Sequence, residues 1–369
     1  MRKSLFISLL SVILFSVCSC SNKQSGIENQ DMITIDVPLQ PDWSTPLPRV
    51  SDLFQITNVE LSASSLESLV GSVSEIKLYG DTLYILSDVS LYLFKTDGRF
   101  ITRINKEGRG RGEYVNITEF EIDRKNNNLL IFDRSTGMLR YTMDGKFIDK
   151  TPIKGMPQEF ALLPGGDYLF YSPYDIDGLK GLWVTDSKDN FKRQLLGLKD
   201  YKQQVVTADY KLACINDSLV GFMGPEKADL FYHITDDTIV TAYHITSHFS
   251  SAGVTEGVGE EQVELPSYTK SYYCESDELF MFVMVGITDG VAIRTIYDKR
   301  TGQVMHPFAA NSKAANDPEY KYPNFVNGYK NYFFNTISVK SILNNERLKA
   351  QYPDITEESN PVIQIFRAK

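Results

Sequence analysis

Residues 80–86 read GDTLYIL, a Gly-Asp pair running straight into Thr, Leu, Tyr, Ile and Leu. Turn formers followed at once by β-branched, aromatic and aliphatic residues describe a hairpin entering a strand. The same arrangement recurs as NNNLLIF (126–132), GGDYLFY (165–171), NDSLVGF (216–222), SDELFMF (276–282) and GYKNYFF (328–334). Their starts are separated by 46, 39, 51, 60 and 52 residues. Self-similarity at such a period marks a repeat architecture.

The surroundings repeat as well. An apolar run precedes each hairpin: SEIKLY, TEFEID, QEFALLP, DYKLACI, KSYYCE and NFVN. A further strand and tight turn follow several of them, as in LYLFKTDGRF, LRYTMDGKF and RTIYDKRTGQV. The pairs Asp97-Gly98, Asp144-Gly145 and Thr301-Gly302 supply the positive φ that tight hairpin turns need. One unit is therefore three to four antiparallel strands, present six times. Solenoids and paired sandwiches use similar strands, but a single repeating unit of this length predicts an all-β, six-bladed β-propeller of antiparallel sheets. A helical period is visible only near Val339–Gln351. LFQITNVELS (53–62) and the C-terminal NPVIQIFRA are expected to share one blade and close the ring, which removes its open edges.

Composition agrees: 42% of residues are hydrophobic, with 21 Tyr and 21 Phe, enough for a large β-rich core. Cys214 lies five residues before Leu219 and Cys274 five before Leu279, so the two occupy equivalent places in successive repeats, matched by Leu78 before Leu83. Such residues belong to the inner strand of a blade. A disulfide needs Cα atoms within about 7 Å, closer than equivalent places on neighbouring blades usually come, so buried free thiols are expected.

The N-terminus gives an address. Arg2 and Lys3 precede an uncharged apolar run from Leu5 to Val17, too short for a permanent span and laid out like a secretory signal. Val17-Cys18-Ser19-Cys20 resembles the lipobox of bacterial lipoproteins, with Cys20 the better fit. That resemblance implies cleavage before Cys20 and lipidation there, a membrane anchor of several acyl chains. Residues 1–19 are read as the signal, 20–48 as the lipidated cysteine with a polar, Pro-containing tether, and 49–369 as the propeller. The 38 basic residues less Arg2 and Lys3 leave 36 against 47 acidic ones, a formal charge of −11. An acidic exported chain is a poor partner for nucleic acid.

KEGRGRGEY (106–114) lies between the last strand of the first repeat and the first strand of the second. A dinucleotide loop needs G-x-G-x-x-G before a helix, and a phosphate loop needs Gly-Lys-Ser/Thr; this stretch has neither. GRGRGEY followed by F-x-I-D does resemble the G-x-G-P-G-E-Y…F-x-I-D signature of the bacterial, Bacteroidota-type six-bladed β-propeller lipoproteins, a group related to NHL-type propellers. The departure is Arg111, which stands at the family's proline. The resemblance covers residues 50–369 and the signal, and it implies a fold more than an activity.

Two readings of this loop follow. Arg109 and Arg111, with Tyr114, form a basic recognition loop at a channel mouth, able to pair with an anionic group. Alternatively the glycines make a tight inter-blade bend, Glu113 caps neighbouring amides, Tyr114 packs between blades and the arginines pair with acidic neighbours. Tyr320 and Tyr322, in the long connection AANSKAANDPEYKYP (309–323), are a second candidate contact surface for a glycan or peptide. His244 and His248 continue a strand and are not a helical metal pair; Asp175-Ile176-Asp177-Gly178 lacks the ligands of a calcium loop. No cofactor or metal motif is recognisable, and no catalytic triad stands out. The function expected is a non-catalytic ligand- or protein-binding propeller on an outer-membrane lipoprotein, periplasmic or surface-facing. The alternative is an NHL-like hydrolase or lyase, which a cluster of His, Asp and Glu at the channel mouth would favour.

Overall fold

The computed structural model of the chain describes residues 32–38, 48–197, 211–224, 229–247, 255–257, 262–264, 268–286, 292–306 and 322–369. Six antiparallel sheets form a six-bladed β-propeller, as the repeats predict. Each predicted hairpin joins the first and second strands of one blade. The first blade is Val73–Tyr79, Thr82–Ser87, Ser90–Lys95 and Phe100–Ile104, in spatial as well as chain order. Blades two to five begin at Glu119, Glu159, Lys211 and Tyr268. The second strands read as continuous apolar runs because both of their faces are covered: all six residues of Thr82–Ser87 are buried.

The sixth blade closes the ring. Its strands are Asn327–Tyr329, Tyr332–Ile337, Val362–Ala368 and, outermost, Phe54–Glu60 from the other end of the chain. Phe54 pairs with Ala368 and Glu60 with Val362 in an unbroken antiparallel register. Two short helices, Val339–Leu343 and Glu346–Gln351, fill the connection inside this blade, capped by the Ser338 and Asn345 side chains.

The core is six seams. A separate apolar cluster sits between each pair of neighbouring blades, for instance Tyr84, Leu93, Phe120, Leu129 and Tyr141 between the first and second. Part of the predicted tether belongs to this core. Ile33–Val37 forms a fifth strand on blade four, parallel to Ile239–Ser247, with Ile35 and Val37 fully buried. Its alternation I-T-I-D-V has the period of a half-buried strand, but its partner lies some 210 residues away.

Candidate functional site

The six inner strands surround a central cavity of about 630 Å³. That volume lies within the usual range for small-molecule pockets, roughly 300–1,000 Å³. One polar residue near the start of each inner strand lines it: Glu75, Glu119, Glu159, Lys211, Ser271 and Asn327. Glu75, Glu119, Glu159 and Lys211 hold equivalent places, opposite Leu86, Phe132, Tyr171 and Met223, while Ser271 lies nearer the strand start and Asn327 one step farther along, at the place of Lys77. The Phe160 N–H donates to Glu119 Oε2 at 2.6 Å, the Leu212 N–H to Glu159 Oε2 at 3.4 Å, and the Ile76 N–H to Asn327 Oδ1 at 3.3 Å. These three side chains thus each accept an inner-strand amide of the next blade, an amide the ladder leaves over on the channel edge.

Two residues farther along, Lys77 and Glu121 make the next level. Lys77 Nζ lies 2.7 Å from Glu121 Oε1 and 3.0 Å from Glu75 Oε1. Burial opposes its charge, yet Glu121 and Glu75 hold its pKa above the ordinary lysine value. Burial raises the Glu75 carboxyl despite Lys77, and its second oxygen, Oε2, has no hydrogen-bond partner among the described residues. The Cys214 thiol lines the cavity and donates to Glu121 Oε1 at 3.0 Å. Burial and the Glu121 charge push its pKa well up, so it is a poor nucleophile. Both Cys214 and Cys274 are free thiols.

The Glu119 and Glu159 carboxyls are hydrogen-bonded to one another. Desolvation, then the facing Glu159 charge, pushes Glu119 well above the carboxylate range. Desolvation also raises Glu159, to about 7. Two desolvated carboxyls set against each other do not readily both ionise, so the pair holds a proton between them. Blades one to three make the cavity wall acidic, whereas blade four presents Lys211 at the same level, with the Ser271 hydroxyl and the Asn327 amide of blades five and six on either side of that level.

The loop 106–114 is a joint outside this cavity. Glu113 Oε2 accepts the Gly110 N–H at 2.6 Å; Gly108 N–H and Tyr114 C=O pair at 2.8 Å. Tyr114 is fully buried in the seam between the first two blades, its hydroxyl donating to the Ile104 carbonyl at 3.0 Å. These features match the tight-bend reading, except that Arg109 and Arg111 are exposed and pair with no carboxylate among the described residues. Neither arginine nor Tyr114 lines the cavity. Tyr322, expected on a contact surface, is buried between blades five and six and donates to the Pro48 carbonyl at 2.7 Å. It packs there because the end of its loop folds onto the closing blade. Tyr320, His248 and Cys20 lie outside the described residues. His244 sits 3.2 Å from Asp229, and Asp175 accepts the Gly178 N–H of a surface turn.

The ring residues escaped the sequence reading although their pattern is visible in it. SEIKL, TEFEI, QEFAL and YKLAC each put Glu or Lys before an apolar residue at the same place in the repeat. A charged residue ahead of a strand reads as solvated surface unless the strand is known to face a channel.

A family model described as Domain of unknown function (DUF4934) matches residues 49–367, and the chain belongs to that family. Among solved structures, the chain is similar to a "putative exported protein" of Bacteroides fragilis, with a TM-score of 0.69 at 20% identity over 91% of this chain and 99% of that one. A member of the DUF4221 family from Bacteroides vulgatus matches at TM-score 0.46 and 10% identity, covering 86% and 97%. These likenesses concern the fold. A search of curated proteins finds no match.

Proposed function

We propose that this member of the DUF4934 family is an exported, lipid-anchored propeller that binds a small polar ligand in its central channel. The observation carrying this is the polar ring inside a pocket-sized cavity, acidic on blades one to three and carrying Lys211, Ser271 and Asn327 on blades four to six. Such a wall suits a ligand with a basic nitrogen on one side and hydroxyl or carbonyl groups on the other. Export and anchoring rest on the basic start, the apolar run and Cys20, and on the description of the Bacteroides fragilis protein as exported.

A thermal-shift screen of amino sugars, amino acids, polyamines and neutral sugars tests the reading. A binder raises the melting temperature in proportion to the logarithm of its excess over Kd. The expected result is a shift with an amine-bearing compound that disappears in Glu75→Gln/Glu159→Gln. No shift across the panel, or an equal shift in the variant, would refute it.

The hydrolase or lyase reading has one observation in its favour. Glu119 and Glu159 form a pair with one held proton and one group ionising near neutrality, the poise of an acid–base couple. Both carboxyls, however, already accept backbone amides, and no histidine among the described residues lines the cavity. Turnover of a screened compound that Glu159→Gln abolishes would move the protein to that class.

A further inference from the structure

Beyond the ring, the inner strands end in turns that crowd one end of the channel, and there side chains meet across the opening. Arg124, on blade two, places its guanidinium 4.4 Å from the ring centroid of Tyr329 on blade six and 5.4 Å from that of Tyr79 on blade one. Its Nη2 donates to the Leu78 carbonyl at 3.3 Å, and its Nε lies 3.7 Å from Asp217 Oδ1 on blade four. Asp217 is held in turn by the Tyr329 hydroxyl and by Lys330 Nζ at 2.5 Å. Asn216, beside it, donates to Asp277 of blade five at 2.5 Å.

Blades two, four and six are not neighbours in a ring of six. Side chains from all three can touch only by spanning the axis. Arg124, Asp217 and Tyr329 also line the cavity, so the span is its wall. At the other end Ser74 of blade one and Ser271 of blade five line the cavity and are exposed. No bond among the described residues joins them across the opening.

We infer that the channel is a blind pocket: Arg124, Asp217 and Tyr329 are its floor, and small molecules enter from the face of the inter-blade connections, between Ser74 and Ser271. This rests on the channel as ligand site and names the face that serves it. Cations stacked on aromatic faces and tied to a carboxylate hold such a floor shut without filling the space above. The ring then lies between mouth and floor, where an entering ligand meets it first.

Cys214 reports access to this space. It stands three residues past Lys211 of the ring and three before Asp217 of the floor, whereas Cys274 is buried in the seam between blades five and six. The full chain is treated with N-ethylmaleimide, an uncharged probe, and labelling is located by peptide mass mapping. The raised Cys214 thiol reacts slowly, so long incubations with excess reagent are compared at one pH. Ser74→Trp/Ser271→Trp, at two exposed positions and leaving Glu121 and Lys77 in place, should slow this labelling about tenfold by restricting access. Adding Arg124→Ala should restore it, with Cys274 protected throughout. Unchanged Cys214 labelling in the tryptophan pair would overturn the proposal, as would acceleration by Arg124→Ala alone to a rate the tryptophans do not affect. If Arg124→Ala exposes Cys274 by unfolding, the tryptophan pair decides by itself. No ligand is used, so this result stands apart from that of the thermal screen.

Discussion

Two buried carboxylates show how differently one side chain is treated in this fold. Glu275 has a fully buried side chain, with Oε1 bonded to His233 Nε2 at 2.9 Å, the Tyr243 hydroxyl at 2.9 Å and Lys299 Nζ at 2.6 Å, and Oε2 to the Tyr273 hydroxyl at 2.5 Å. Burial alone would raise its pKa; His233 and Lys299 bring it down to about 2. A carboxyl depressed on folding contributes stability above its unfolded value, which is lost as pH falls through the folded one. Glu275→Gln should therefore cost about 3 kcal/mol at neutral pH, the price of breaking a buried ion pair. In denaturant melts its difference from wild type should shrink between pH 4.5 and about 2. Glu159 behaves oppositely. Its folded pKa is raised to about 7, so the folded state is favoured while it is protonated and loses stability as pH rises from 4.5 through 7. Melting curves of Glu159→Gln should match wild type at pH 4.5 and lie above it at pH 8. A wild-type advantage at pH 8 would contradict the shared-proton pair.

At the scale of the element, the loop 106–114 shows what a motif alone settles. Its glycines and Glu113 were legible as a tight bend; its arginines were equally legible as a binding patch, and only placement separates the two. Gly112 has φ +74°, and an added Cβ would lie 2.6 Å from the Phe147 ring. Gly112→Ala should cost about 1–3 kcal/mol for the left-handed backbone alone. Arg109→Ala/Arg111→Ala, at exposed sites, should change stability by no more than about 0.5 kcal/mol. Calorimetry on the two variants checks the joint; the reverse order would contradict it. The hairpins were legible for a physical reason, since turn chemistry and strand propensity are written locally. The ring was not, because Glu75, Glu119 and Glu159 differ from surface glutamates only in what the closed propeller sets opposite them. Ile33–Val37 was missed likewise: five alternating residues in a polar stretch say nothing of a partner strand at residues 239–247.

For the whole molecule, the ring is held at two places by its N-terminal segment. Phe54–Glu60 closes blade six, and Ile33–Val37 extends blade four. Ile35 is fully buried with Phe231, Tyr243 and Phe280 between blades four and five, so Ile35→Ala should cost about 2–5 kcal/mol. A variant of unchanged stability would return the segment to a simple tether. A chain ending at Pro361 lacks the strand between Tyr332–Ile337 and Phe54–Glu60 and leaves two unpaired edges. It should lose its cooperative melt and associate on size exclusion. The polar ring depends on this closure, because Asn327 of blade six accepts the Ile76 amide of blade one across the closed junction.

Hydrogen exchange on the full chain, with and without the strongest binder from the thermal screen, tests the channel assignment most directly. Slower exchange is predicted in peptides covering the inner strands, above all 73–79, 119–123, 159–162 and 211–216, with residues 105–117 unchanged. Protection confined to 105–117, or to the outer strands, would place the ligand outside the channel and contradict the account.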